Sequence, residues 1–296
     1  MVCLGKSGKF AGMEGLSTYA RTRIAPTPSG FLHLGNVAAF VRTVGMARRM
    51  GAKVLLRIDD LDRERVEPEY VQDIFDTLNF LELPWDEGPR NVEEFEREYS
   101  QVNRMGLYGE ALEVLRERGY VFACSCSRTQ VLRDSADGVY RGTCRERGIS
   151  LDAEDVSWRL RMDEGDAAGR MPETMRDFVV RKKDGFPAYQ LTSVVDDLYY
   201  EVDLVVRGED LWASTVAQHY LAGKLGSGKA FGAIGFYHHP LLMAEGGRKL
   251  SKSAGDTSVQ YLRKQGLKKE DVYTMIAGMM GKKGKFMNWE ELFNQQ

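Results

Sequence analysis

Two short stretches combine residue types that can handle phosphate. Pro26-Thr27-Pro28-Ser29-Gly30 leads into Phe31-Leu32-His33-Leu34-Gly35-Asn36, just ahead of an apolar helical repeat. Amide N–H groups at a helix N-terminus, with the helix dipole behind them, attract anions. Pro26, Pro28 and Gly30 shape this loop, His33 can donate a hydrogen bond to an anion, and Gly35 lets a nucleotide approach the backbone. The second stretch is Arg248-Lys249-Leu250-Ser251-Lys252-Ser253, bounded by Gly246-Gly247 and Gly255. Two lysines three apart on such a loop can close over a phosphate chain and neutralise charge developing in phosphoryl or nucleotidyl transfer. Each stretch alone also has a plainer reading: a Pro/Gly turn before a core helix, and a solvated basic loop. The first turn carries no GxGxxG fingerprint, which argues against a dinucleotide cofactor.

A third constellation is Cys124-Ser125-Cys126, then 13 residues, then Tyr140-Arg141-Gly142-Thr143-Cys144. Thiolates favour zinc, and four ligands make a closed structural site. No His lies between residues 100 and 200, so the fourth ligand must be of another type. Tyr140 would have to give up its phenolic proton, a loss that bonding to Zn²⁺ can drive. The alternative is three buried or free thiols without a metal.

The elements that must position these residues follow from periodicity. Thr22–Ala25 reads as a strand, and Val37, Phe40, Val41, Val44 and Ala47 recur at the spacing of a helix of about 15 residues. Lys53–Ile58 is a buried-type strand with an acidic exit, Asp59-Asp60-Leu61-Asp62. Val71, Ile74, Phe75 and Leu78 define a helix that ends before Pro84. Strand, helix, strand and helix in this order predict an α/β fold with a parallel, doubly wound sheet. Residues 86–186, with the cysteines and weak periodicity, read as an insertion holding a helix near Leu107–Glu117. Alternation resumes with apolar Tyr189–Val195, a strand at Asp203–Val206 and a helix at Ser214–Leu225. The segments expected are a loose tail (1–20), two domain halves (21–85 and 187–256) around the insertion, and short helices over 257–296.

Composition sets the outer limits. The chain has 296 residues, 43% hydrophobic and 28% charged, which excludes a disordered chain, a collagen-like repeat and a disulfide scaffold. The 41 basic and 43 acidic residues leave a net charge of −2, so any nucleic-acid site is a local patch. No apolar run is long enough for a membrane helix, and residues 1–20 make a poor signal peptide. A cytoplasmic, reducing setting is expected. Asp196-Asp197 reads as hydrogen-bonded structure, and the methionines at 275, 279 and 280 read as helical core.

Taken together, His33-Leu34-Gly35-Asn36 and Lys249-Leu250-Ser251-Lys252-Ser253 resemble the paired signatures of class I aminoacyl-tRNA synthetases. Arg23-Ile24-Ala25-Pro26-Thr27-Pro28-Ser29-Gly30, Arg57-Ile58-Asp59-Asp60-Leu61-Asp62, Asp184-Gly185-Phe186-Pro187-Ala188-Tyr189-Gln190-Leu191, Val194-Val195-Asp196-Asp197 and Arg207-Gly208-Glu209-Asp210 resemble the glutamyl branch. The Cys-x-Cys and Tyr-x3-Cys pattern is similar to that of the glutamyl-Q tRNA(Asp) synthetases. The 43 residues after Ser253 also agree with a paralogue lacking the anticodon-binding region of a full glutamyl enzyme. The resemblance implies a Rossmann-like catalytic domain, an inserted zinc-containing subdomain and a short helical C-terminal segment.

It also implies a reaction. Family members activate L-glutamate with ATP and Mg²⁺, then esterify it to the cyclopentene diol of queuosine at the wobble position of tRNA(Asp). Carried over, Arg23 contacts the glutamate side chain, Thr27 helps hold substrate, and Asp59, one methylene shorter than the usual Glu, meets the amino group. Tyr189 and Arg207 line the amino-acid pocket. Pro26, Gly30, His33, Gly35, Asn36 and Lys252 match ATP-binding positions, with Asn36 in place of a second His. His33, Lys249 and Lys252 stabilise charge in the transition state. Cys124, Cys126, Tyr140 and Cys144 hold one structural Zn²⁺. The partners implied are glutamate, ATP and the queuosine-bearing anticodon stem-loop, with no membrane and a monomeric chain. Two other readings stand beside this one: a compact glutamyl-tRNA synthetase charging the 3′ end of tRNA(Glu), and a non-catalytic synthetase paralogue.

Overall fold

The structure is a computed structural model that describes residues 18–163, 171–242 and 258–295. In chain order the first elements are β1 (Arg21–Ile24), α1 (Leu34–Met50), β2 (Lys53–Leu56), α2 (Pro68–Phe80), α3 (Val92–Glu94) and α4 (Met105–Glu117). The middle holds β3 (Val121–Cys124), α5 (Arg128–Asp134), β4 (Ser157–Leu160), β5 (Val179–Arg181) and α6 (Tyr189–Tyr199). Then come β6 (Leu204–Gly208), α7 (Trp212–Leu225), α8 (Gly228–Gly232), β7 (Gly235–His239), α9 (Val259–Lys264), α10 (Lys269–Met279) and α11 (Trp289–Asn294). The chain forms two compact units. One comprises the residues up to Asn103, Val202–Glu209 and Gly235 onward; the other comprises Arg104–Glu201 and Asp210–Ile234. Residues 86–186 are therefore shared between them.

The first unit is built on a parallel four-stranded sheet in the order β2-β1-β6-β7, as the strand–helix alternation predicts. Ile24, Val54, Leu56, Leu204 and Val206 join Val37, Val41 and Val44 of α1 in one core. Each contributes about 1.5–3 kcal/mol by leaving water. His33 caps the start of α1, and Gly51, at φ 72°, ends it in the left-handed conformation that suits glycine. Helix α11 packs against α1, and Gly45 makes that approach possible, because a Cβ there would collide with the Phe293 ring.

The second unit pairs a small antiparallel sheet, β3-β4-β5, with α4, α6 and α7. Tyr189–Val195, read from the sequence only as an apolar run where strand–helix alternation resumes, is the first part of helix α6. Short apolar runs buried on every side do not reveal their period, and Gln190, Leu191, Thr192, Ser193 and Val194 are all buried. Asp196 has the structural role expected of it. It accepts from Arg104 Nε at 2.9 Å and Nη2 at 3.3 Å, and from the Tyr108 hydroxyl at 2.7 Å. Met275 departs from expectation: it lies 38% exposed on α10 rather than in the core. No helix among the described residues is long and apolar enough to cross a membrane.

Gly45→Ala should destabilise the first unit by about 1–3 kcal/mol through overpacking against Phe293. Urea unfolding followed by tryptophan fluorescence measures it, and an unchanged midpoint would contradict the close α1–α11 packing.

Candidate functional site

The sheet register brings together two residues 184 positions apart. Arg23 lies opposite Leu55, and Thr22 opposite Leu204. Register partners share a face, and faces alternate residue by residue. Ile24, Leu56, Leu204 and Val206 therefore face α1, while Arg23, Leu55, Val205 and Arg207 face the other way. Strand spacing and rise put the Arg23 and Arg207 Cα atoms roughly 8 Å apart on adjacent strands. Both arginines are buried, 6% and 5% exposed. Two permanent cations on one face near the carboxyl ends of parallel strands suit a carboxylate or phosphate. The same face carries Phe236 and His238 of β7, stacked with centroids 6.4 Å apart, and the Arg207 guanidinium lies 5.2 Å from the Phe236 ring. Neither aromatic stands out in the sequence; only their register beside Arg207 singles them out.

The loops beyond the strands continue the parallel pairing. Arg57 N–H donates to Ile24 O and Asp59 N–H to Pro26 O, each at 2.9 Å. This sets Asp59 beside the Pro-rich loop, where Pro26 is buried and Thr27 and Gly30 are half-buried. The Asp59 carboxylate is clamped by Arg57, with Nε–Oδ1 2.7 Å and Nη2–Oδ2 3.0 Å. Arg57 is thus a functional candidate that its sequence motif did not single out. Asp60 ties the segment down: it accepts from the Ser100 hydroxyl at 2.6 Å and Gln101 N–H at 2.8 Å.

His33 has a more specific geometry than a helix N-terminus alone supplies. Its Nδ1 accepts from the amides of Gly35 at 3.1 Å and Asn36 at 3.3 Å. Asn36 Oδ1 accepts in return from His33 N–H at 3.1 Å, closing a capping box. The Gly35 and Asn36 amides, offered by spacing to a phosphate, serve the cap instead. With Nδ1 an acceptor, the neutral ring carries its proton on Nε2, the nitrogen that can donate to an anion. Lys249 and Lys252 lie outside the described residues. The chain is described again at Ser258, which forms an antiparallel bridge with His33, and Val259 N–H donates to Leu32 O at 2.8 Å. Tyr189, in the second unit, begins α6 and is 43% exposed.

The second unit also holds the cysteine cluster. The Sγ atoms of Cys124, Cys126 and Cys144 all lie within 4.8 Å of one another, with Cys126 and Cys144 3.5 Å apart. The Tyr140 hydroxyl accepts from Cys144 N–H at 2.7 Å and is hydrogen-bonded to the Cys124 thiol. The Arg159 guanidinium lies 3.7 Å from the Tyr140 ring centroid, a cation–π contact that fixes the ring. Burial raises the Cys144 thiol, but the Ser125 amide and the neighbouring thiols outweigh it and bring it down to about 7. Burial and the adjoining thiols push Cys126 up to about 12, and burial raises the Tyr140 phenol above its ordinary range.

The family and the fold of this chain are found in known proteins. The description "tRNA synthetases class I (E and Q), catalytic domain" matches residues 19–296. The chain belongs to this family of ligases. Within it, the chain is similar to the glutamyl-Q tRNA(Asp) synthetase of Parasynechococcus marenigrum (strain WH8102), 38% identical over 264 residues, covering 88% of this chain and 83% of that one. The Dechloromonas aromatica (strain RCB) protein of the same name is 38% identical over 249 residues, 78% of each chain. Glutamate--tRNA ligase 2 of Syntrophus aciditrophicus (strain SB) is 34% identical over 283 residues, and this chain spans 57% of its length. The crystal structure of glutamate-tRNA synthetase from Elizabethkingia anophelis superposes with a TM-score of 0.70 at 24% identity, covering 93% of this chain and 65% of that one, which shows the shared fold. The resemblance read from the motifs is borne out by these matches.

The cap geometry separates two roles of His33. Asn is a good N-cap, so His33→Asn should leave the melting temperature within about 2 °C, whereas His33→Ala should lower it by roughly 2–4 °C. Calorimetry of the two variants checks this, and equal losses would contradict the capping role.

Proposed function

We propose that this chain activates L-glutamate with ATP and transfers the glutamyl group to queuosine at the wobble position of tRNA(Asp). The observation that carries the first half is the pair of buried arginines, Arg23 and Arg207, on one sheet face. They match the need of a dicarboxylic amino acid for fixed cations. A glutamine side chain lacks the charge and would leave buried guanidinium groups poorly matched. The second half rests on the names of relatives of whose length this chain covers 83% and 78%.

In this reading the glutamate α-carboxylate attacks the α-phosphorus of ATP in line, and pyrophosphate leaves. His33 Nε2–H donates to the phosphate oxygens as negative charge grows there. Lys249 and Lys252 neutralise the phosphate chain, with Lys252 the first candidate for contact with an ATP phosphate. Pro26, Gly30, Gly35 and Asn36 shape the surface on which the nucleotide lies. Arg23 and Arg207 hold the glutamate side chain with Thr27, and Asp59, steadied by Arg57, faces its amino group. A queuosine hydroxyl then attacks the acyl-adenylate and AMP leaves. Mg²⁺ bound to the ATP phosphates supplies further charge neutralisation.

The cysteine cluster suits zinc. A tetrahedral site with Zn–S near 2.3 Å sets sulfur atoms about 3.8 Å apart, and the three Sγ atoms already lie within 4.8 Å. Cys124, Cys126, Cys144 and the Tyr140 hydroxyl would hold the ion, which would pin β3 to the 140–144 turn. Purified chain should contain about one zinc per molecule by plasma emission analysis, and Cys144→Ser should lose it. Zinc-free protein with three titratable thiols would overturn this assignment.

Arg23→Ala should lower kcat/KM for glutamate in ATP–pyrophosphate exchange by on the order of 100-fold, the loss of one charged contact. His33→Asn should cut kcat by roughly 100-fold or more while its stability holds. Label from radioactive glutamate should appear on queuosine-bearing tRNA(Asp), survive removal of the 3′ adenosine, and be absent without queuosine. Label confined to the 3′ end of tRNA(Glu) would make the chain a compact glutamyl-tRNA synthetase instead.

A further inference from the structure

Leu32 is the residue at which three elements meet. Its N–H donates to Asp73 Oδ2 at 2.9 Å, and its carbonyl accepts from Val259 N–H at 2.8 Å. Asp73 belongs to α2, Val259 opens α9, and Leu32 directly precedes His33. Asp73 is 2% exposed. Its other oxygen accepts from the Thr77 hydroxyl at 3.3 Å. Phe31 adds a second tie to α2, edge-on to Tyr70 at 4.9 Å. On the other side, Ser258 bridges His33 and caps α9, accepting from Tyr261 N–H at 3.1 Å. Arg263 of α9 lies 3.8 Å from Asp76 of α2. Ser258 and Val259 therefore meet the same residue pair, Leu32 and His33, that leads into the α1 cap.

A buried carboxyl is a costly group to place in an apolar interior. Packing of α2 does not call for one, since Ile74, Phe75 and Leu78 supply the core contacts. What Asp73 adds is an acceptor for one amide, one residue from His33. We infer that Asp73 is a positioning residue: by holding Leu32 it keeps His33 in register with Ser258 and Val259 at the start of α9. This inference rests on the phosphate-binding role given to His33 above. Without the acceptor the Leu32 amide must seek another partner, and the loop shifts with it. The Nε2–H of His33 then leaves the line of the reacting phosphate. The glutamate contacts from Arg23 and Arg207 come from strands and stay in place.

The test is glutamate-dependent ATP–pyrophosphate exchange with three full-length variants. Asp73→Ala removes the acceptor, and Asp73→Asn retains it. Val259→Pro deletes the N–H that ties Leu32 from the α9 side. Val259 is the first helical position of α9, where proline is tolerated, and Ser258 before it already has extended angles of φ −72° and ψ 142°. Asp73→Ala and Val259→Pro are expected to lose kcat on the order of 10- to 100-fold, with KM for glutamate within about twofold of wild type. Asp73→Asn is expected to keep at least about half of kcat. If Asp73→Ala fails to fold, Val259→Pro carries the test alone. Wild-type kcat in Val259→Pro, or equal loss in the Asn and Ala variants with KM for glutamate rising in parallel, would overturn the inference. A wild-type chain without glutamate-stimulated exchange would instead overturn the functional reading on which it rests.

Discussion

The parallel pairing of β1 between β2 and β6 is the constraint on which the first unit depends. Side chains alternate along each strand, so one register sorts every residue to a face. Ile24 goes to the α1 core and Arg23 to the opposite face. A slip of one residue would bury an arginine against Val41 and Val44 and turn Ile24 toward the site. Neither exchange is tolerable, because an arginine in an apolar core costs several kcal/mol. The hydrophobic face and the charged face thus specify the same register from two sides. Arg207 obeys the same rule on β6, which is how two distant arginines come to share a surface.

The second requirement arises where β1 ends. A chain leaving a sheet has backbone groups that need partners. Here the partners are also candidate site residues. Asp59 reaches its place through a backbone bond to Pro26, and His33 gives one ring nitrogen to the α1 cap. The cap determines which nitrogen keeps the proton, so a structural hydrogen bond decides the chemistry available on the other side of the ring. Asp60 works at longer range, fastening the 100–101 turn to the acidic exit of β2.

The cysteine cluster follows a separate logic. The packed group beside its small sheet consists of Phe122, Cys124, Tyr140 and Cys144 with a few partly buried neighbours. Three thiols and a phenol at the centre of such a group push one another in opposite directions. Cys144 falls to about 7 while Cys126 rises to about 12. Zinc binding would displace the protons of these groups, because a thiol or phenol ligates as its anion.

Much of the fold was legible in the residues alone. The spacing of Val37, Val41 and Val44, the runs Thr22–Ala25 and Lys53–Ile58, and the strand–helix alternation were enough for a parallel sheet, because period and burial are local properties. The paired motifs were enough for the family, since His33-Leu34-Gly35-Asn36 and Lys249-Leu250-Ser251-Lys252-Ser253 are chemical patterns read without coordinates. Helix α6 was not legible, because Gln190–Val194 is buried all round and shows no period. Neither were Arg57 as the clamp on Asp59, Phe236 and His238 beside Arg207, nor Asp73 beneath Leu32. Each of these depends on which residue lies opposite which, over separations of 2 to 41 positions. Sequence determined the types of chemical group and the elements that carry them. Tertiary structure alone decided which hydrogen bond each group spends on the fold and which remains for a ligand, because register and packing are set by the whole chain at once.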